Sequence, residues 1–270
     1  MEEQVGELSA YVEIAKKRCA EGMLRAQNKR NNRKPPYHGL LVLLIVLAHG
    51  IARAQTIEHK EAILIDVSGS IGRAGPSDLF REYLTSTRKL LLSEPQKSRV
   101  WVSSISSESF GGVREVAKGW TPGAGPAFSD ELNLARRQIV SMFEKNSSGM
   151  STASAGTDII GGLFRMKALF ESGSASQFSK TIFIFSDMVN ETKEFQMPAI
   201  LPGGPEKMLE QAKANGLLVP LKGYKIYVYG ASPNGLTPQG WLIVKNFWTM
   251  YFAAAGAELV TYSAECDVER

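Results

Sequence analysis

Cysteine, histidine and charge of one sign are what this chain lacks. Two cysteines occur in 270 residues, Cys19 and Cys266. Only Cys266 lies beyond residue 54, so the remainder cannot close an internal disulfide, and no Cys/His spacing of a zinc site is present. Three histidines, His38, His49 and His59, leave a Ser-His-Asp or Cys-His mechanism to rest on His59 alone, a residue just ahead of the first strand. The formal charge of +4 is all in the first 54 residues, which hold 9 Lys+Arg and 5 Asp+Glu; residues 55–270 carry 22 of each sign. A nucleic-acid footprint on the folded part is thereby excluded, because it needs a local basic excess. G-x-x-x-x-G-K-[ST] and G-x-S-x-G are both absent, and Gly123-Ala124-Gly125 lacks the third glycine of a dinucleotide fingerprint.

What is present begins with a leader. The cluster Lys29-Arg30-Asn31-Asn32-Arg33-Lys34 precedes Pro35-Pro36, an apolar run from Gly39 to Ala52, and Ala52-Arg53-Ala54. A basic region, a short apolar region and an A-x-A end form a secretory signal, with cleavage expected between Ala54 and Gln55. The competing expectation is an uncleaved inner-membrane anchor over residues 39–52, although about 14 residues is short of the ~20 a spanning helix needs. About 28 residues precede the basic cluster, and Met23 offers a start that gives a leader of ordinary length. Residue 55 is Gln rather than Cys, so no lipoprotein anchor is expected. The expected product is periplasmic or extracellular, with domains 1–54 (leader) and 55–270.

With 44% hydrophobic and 21% charged residues, the chain has the composition of a folded domain. Ala62–Ile65 is a continuous apolar strand of the kind covered on both faces. Strands are also predicted at 99–105, 113–117 (short, at an edge), 181–185, 224–229 and 258–262. Helices are predicted at 77–92 (Ser77 as N-cap), 129–144, 159–170, 206–215 and 238–255, with a long irregular loop over 190–205. Leu132, Leu134, Ile139, Met142 and Phe143 supply the apolar stripe of the second helix. Trp241, Val244, Trp248, Tyr251 and Ala255 recur at helical spacing and read as core rather than as a membrane span. Alternating strands and helices imply an α/β fold, a doubly wound, mostly parallel sheet of about six strands with helices on both faces.

In such a sheet, ligands bind outside the carboxyl ends of the strands, at the switch in strand order. Asp66, Ser68 and Ser70 end the first strand, Asp187 ends another central strand, and Thr157 opens a helix in a loop that reaches the same edge. Five oxygen-bearing side chains without sulfur or imidazole suit a hard divalent cation.

Asp66-Val67-Ser68-Gly69-Ser70 resembles the DxSxS signature of von Willebrand factor type A (VWA) domains with a metal-ion-dependent adhesion site (MIDAS). Gly156-Thr157-Asp158 and Phe185-Ser186-Asp187 resemble that family's threonine and distal aspartate loops, in the same order. Phe247-Trp248 and Tyr251-Phe252 ahead of Ala255-Gly256-Ala257 are similar to bacterial members. The resemblance covers about residues 60–264. It implies that Ser68 and Ser70 ligate Mg2+ (Mn2+ or Ca2+ as alternatives) directly, that Asp66, Thr157 and Asp187 do so directly or through water, and that a partner protein's carboxylate completes the shell. Asp158 is read as a helix cap outside the metal set. The expectation is a non-enzymatic adhesion or interaction module of the cell envelope. A structural subunit of an envelope or secretion assembly with a non-essential metal site is the alternative; a phosphatase is disfavoured because Ser68 stands where its second acid is needed.

Overall fold

The continuous apolar run at the start of the folded part forms β1 (His59–Asp66), in which every residue after His59 is buried. In the computed structural model, residues 58–72, 79–123, 129–150, 152, 154–172, 178–232 and 235–268 are described, all within the unit Gln55–Arg270. The leader, its cleavage or anchoring, and the Ser77 cap lie outside the described residues. Alternate residues of β1 enter opposite cores, as the two-residue period of a strand requires. Ala62 and Leu64 pack with one apolar cluster, and Ile63 and Ile65 with the other. β4 (Ser179–Phe185) repeats the division, with Ile182 and Ile184 on the first side and Phe183 and Phe185 on the second.

After β1 come a single turn, α1 (Gly69–Gly72), and α2 (Leu79–Leu92), then β2 (Ser98–Ile105), β3 (Arg114–Trp120) and α3 (Ser129–Ser147). The second half runs α4 (Ile159–Glu171), β4, a short α5 (Met197–Ile200), α6 (Gly204–Ala214), β5 (Tyr224–Tyr229), α7 (Pro238–Ala255) and β6 (Glu258–Tyr262). The strands form one sheet in the order β3-β2-β1-β4-β5-β6, parallel except for edge strand β3. The chain therefore winds outward from β1 through β2 to β3, returns beside β1 as β4, and winds outward the other way. The switch lies between β1 and β4, whose carboxyl ends carry Asp66 and Asp187.

α7 has its signals at both ends. Thr237 caps it by accepting from Gly240 N at 3.1 Å, Pro238 opens it, and Gly256 closes it at φ 79°. Val244, Trp248, Tyr251 and Ala255 are buried, as the stripe predicts, and Phe247 and Phe252 are buried beside them; Trp241 is only half-buried and ties its indole N–H to Ala231 O at 2.7 Å. No helix among the described residues is long and apolar enough to cross a membrane.

Three expectations need correction. The edge strand extends to Trp120, because backbone pairing with β2 continues past Ala117 through Lys118 and Gly119. In α3, Ile139, Val140 and Phe143 are buried, whereas Leu134 and Met142 are 50% and 43% exposed. Residues 139 and 143 share a face at helical spacing that 134 and 142 do not. The stretch 190–205 is not one irregular loop. Buried Phe195 and Met197 pin it, and α5 and a tight turn at Leu201–Gly203 fill its second half.

Gly230, just beyond β5, sits at φ +71°, and a Cβ there would lie 2.2 Å from Cε1 of the fully buried Tyr83. Tyr83 also donates to Gly230 O at 3.2 Å. Gly230→Ala combines a left-handed backbone with overpacking and is expected to destabilise the domain by about 2–4 kcal/mol, read by urea denaturation. An unchanged midpoint contradicts this packing.

Candidate metal centre

β1 and β4 end side by side, and each delivers a carboxylate that is buried from bulk solvent. Asp66 is fully buried and Asp187 is 2% exposed. Each turn is held by its own acid. Asp66 Oδ1 accepts from Ser68 N at 2.8 Å, and Asp187 Oδ1 accepts from Val189 N at 3.0 Å. These are the Asx turns expected of Asp two residues ahead of a free N–H.

Hydroxyls connect the two turns. Ser70 donates to Asp187 Oδ2 at 2.8 Å. That commits its one proton, so in the 2.9 Å contact between the Ser68 and Ser70 hydroxyls Ser68 is the donor. On the far side, Ser186 donates to Asp66 Oδ2 at 2.7 Å while accepting from Met188 N at 3.0 Å. Asp66, Ser68, Ser70 and Asp187 thus share one hydrogen-bonded cluster.

Thr157 is brought to the same edge by its backbone. Gly69 N donates to Ser154 O at 3.0 Å and Ser154 N to Val67 O at 3.2 Å, which zips the loop ahead of Thr157 onto the Ser68 turn. Glu191 N then donates to Thr157 O at 2.7 Å. Gly156 permits this approach, since a Cβ there would lie 2.5 Å from Glu191 O. Thr157 is buried, and its hydroxyl has no hydrogen-bond partner among the described residues. Asp158 caps α4: Oδ1 accepts from Gly161 N and Oδ2 from Phe110 N, both at 2.7 Å. The cap reading holds for it.

Sequence reasoning missed three supports. Ser186 stands within the quoted loop, but only its contact with Asp66 shows what it does. Asn190 is fully buried; its side chain accepts from Ile160 N and donates to Phe195 O, both at 3.2 Å. Trp248 of α7 donates its indole N–H to Met188 O at 2.7 Å, at a residue held at φ 65°. The last helix is therefore hydrogen-bonded directly to the Asp187 loop. A side chain from a distant helix leaves no local signal in the sequence.

The electrostatics are uncompensated. Burial, and next the charge of Asp187, push the Asp66 carboxyl from 3.8 up to about 7. Burial also raises Asp187, against the hydrogen bonds from Val189 and Ser70. No lysine or arginine pairs with either acid among the described residues. Nor, among those residues, do three or more His, Cys, Asp or Glu gather into a cluster able to hold a metal. Any cation held here must draw on hydroxyls as well as the two carboxylates. An oxygen-only set of low charge fits a hard divalent ion that keeps part of its water.

No family model matches the sequence, and no curated protein matches it. Among solved structures, the chain is similar to the SpRpn10 VWA domain (10% identity, TM-score 0.42, 77% of this chain and 90% of that one). It is also similar to the manganese-loaded TRAP protein of Plasmodium vivax (14%, 0.44, 79% and 70%) and to a von Willebrand factor type A structure from Catenulispora acidiphila (13%, 0.40, 74% and 42%). The sheet order with its antiparallel edge, and three loops meeting at the switch point, make this a doubly wound α/β domain whose arrangement is consistent with the VWA fold.

The two raised acids give this domain a pH signature. A carboxyl raised on folding binds protons more tightly in the native state, so its contribution to stability is full below the unfolded value near 4 and is lost as pH rises toward about 7. In chelator, the thermal midpoint should fall by several degrees between pH 5 and pH 7.5. Asp187→Asn, which removes one charge and can keep the contact with Ser70, should flatten that fall. A midpoint that rises over the same interval in the parent protein contradicts the electrostatics.

Proposed function

We propose that this domain is a VWA-type, metal-dependent protein-binding module of the cell envelope. In this reading Asp66, Ser68, Ser70, Thr157 and Asp187 hold Mg2+, with Mn2+ or Ca2+ as substitutes, and a carboxylate of a partner protein completes the set. The observation that carries it is the pair of buried carboxylates, Asp66 and Asp187, with no basic partner among the described residues and with serine hydroxyls between them. Burying two like charges costs several kcal/mol unless something offsets them. A bound divalent cation supplies that offset and a Lewis-acidic position for an anionic group.

Each side chain has a part in this scheme. A serine hydroxyl offers a lone pair to a cation while giving its proton to a carboxylate, and Ser70 already gives its proton to Asp187. Ser68 N and Ser186 fix the Asp66 carboxylate, so its orientation needs no reorganisation. The Thr157 hydroxyl, with no other partner among the described residues, is available. Binding is favoured over catalysis because His59 begins β1 at the opposite end of the sheet, where it contacts Ser179 Oγ at 2.7 Å. The envelope location, with residues 1–54 as leader or anchor and 55–270 as the exported domain, rests on the leader pattern in the sequence.

One observation favours a second reading, a structural subunit of an envelope assembly with a non-essential metal site. The chain Ser68–Ser70–Asp187 satisfies both hydroxyls without any ion. Titration of the metal separates the two. At pH 7.5, millimolar Mg2+ should raise the thermal midpoint of the parent protein and release or absorb heat in calorimetry. Ser70→Ala and Asp187→Asn should each weaken the response at least about tenfold in metal concentration. No heat and no thermal response in the parent protein would leave the structural reading standing.

A further inference from the structure

Asp158, next in sequence to Thr157, lines a cavity of about 460 Å3. The cavity lies between the turn after β2, the start of α4 and the loop after β4. Its apolar surface includes Phe110, Phe164 and Leu217; Phe110 is 69% exposed and meets Phe164 edge-on with ring centroids 5.5 Å apart. Its charged lining is Glu108, Asp158 and Glu194, with no lysine or arginine.

The three acids are not equivalent. Asp158 is spent on Gly161 N and Phe110 N, where it offsets the positive end of α4. Glu108 and Glu194 form no ion pair with any described residue. Lys193, the neighbour of Glu194 in sequence, does not line the cavity and pairs with neither acid. Burial lifts the Asp158 carboxyl above its ordinary range, and the charge of Glu194 adds to the rise. The chamber combines an aromatic surface with two exposed carboxylates, and its lining holds no lysine or arginine.

We propose that this cavity receives an arginine side chain of the partner protein, whose stem and guanidinium plane pack on Phe110 and Phe164 while Glu108 and Glu194 take its charge. A long aliphatic stem with a planar cationic end matches both properties of the lining. Glu108 and Glu194 are solvent-exposed, so the preference for a cation comes from charge complementarity at the mouth of the cavity rather than from buried charge, and an anionic side chain would be repelled. The proposal rests on the protein-binding reading and sharpens it: the partner segment presents an acid to the metal centre and a basic residue to the adjoining chamber. Two neighbouring pockets of opposite preference then set the direction in which the segment lies.

The test uses the full chain and N-acetyl-arginine methylamide, followed by saturation-transfer NMR on the probe. The side-chain CH2 protons of the probe should receive saturation from the protein. The neutral isostere N-acetyl-citrulline methylamide should receive at least about fivefold less. Glu108→Gln with Glu194→Gln should reduce the arginine signal by a similar factor, and chelator should leave it unchanged. Equal signals from the two probes, an undiminished signal in the double variant, no signal at all, or loss in chelator would each overturn the proposal. An arginine signal that persists in a protein showing no response to Mg2+ would instead locate the failure in the metal reading.

Discussion

Two carboxylates buried next to each other are the constraint that organises this domain. Asp66 and Asp187 stand at the carboxyl ends of adjacent parallel strands, where the doubly wound sheet changes direction and leaves a crevice. Backbone N–H groups and serine hydroxyls hold the two acids in place without neutralising them. Lost hydration, and next the charge of Asp187, lifts Asp66 to about 7. In the proposed reading, a bound divalent cation would offset this cost.

The rest of the structure serves to hold that crevice rigid. The Thr157 loop is stitched to the Ser68 turn through Ser154 and to the Asp187 loop through Glu191. Asn190 joins the Asp187 loop to the start of α4, and Trp248 joins it to α7. Four chain segments far apart in sequence are thereby hydrogen-bonded into one network. Such a network couples the site to α7, the helix whose aromatic face covers the sheet. The acidic chamber beyond Asp158 shares a wall with the same network, which brings two surfaces of different chemistry under one set of constraints.

Much of this was legible in the sequence for physical reasons. The apolar run Ala62–Ile65 demands cover on both faces, which dictates a parallel sheet with flanking helices. Thr237-Pro238 and Gly256 bracket α7 by capping chemistry alone. Asp66, Ser68, Ser70 and Asp187 could be placed at one edge because a strand's carboxyl end is where such turns occur, and the four are hydrogen-bonded together there. The loop pattern also places Thr157 at that edge, and the backbone bonds through Ser154 and Glu191 that hold it there appear only in the fold. Less was visible where tertiary packing overrides local pattern. Leu134 and Met142 look like core residues until the helix orientation is known. Phe195 and Met197 give order to a stretch that its glycines and prolines mark as irregular. Ser186, Asn190 and Trp248 act through partners that only the fold supplies.

Manganese scatters anomalously and substitutes for magnesium at oxygen sites, so diffraction from crystals grown with Mn2+ tests the central claim most directly. The account predicts a single strong anomalous peak within bonding distance of the Ser68 and Ser70 hydroxyls, between the Asp66 and Asp187 carboxylates. Crystals in which those oxygens keep the hydrogen bonds described above and no peak appears, at a manganese concentration far above millimolar and at neutral pH, would contradict it.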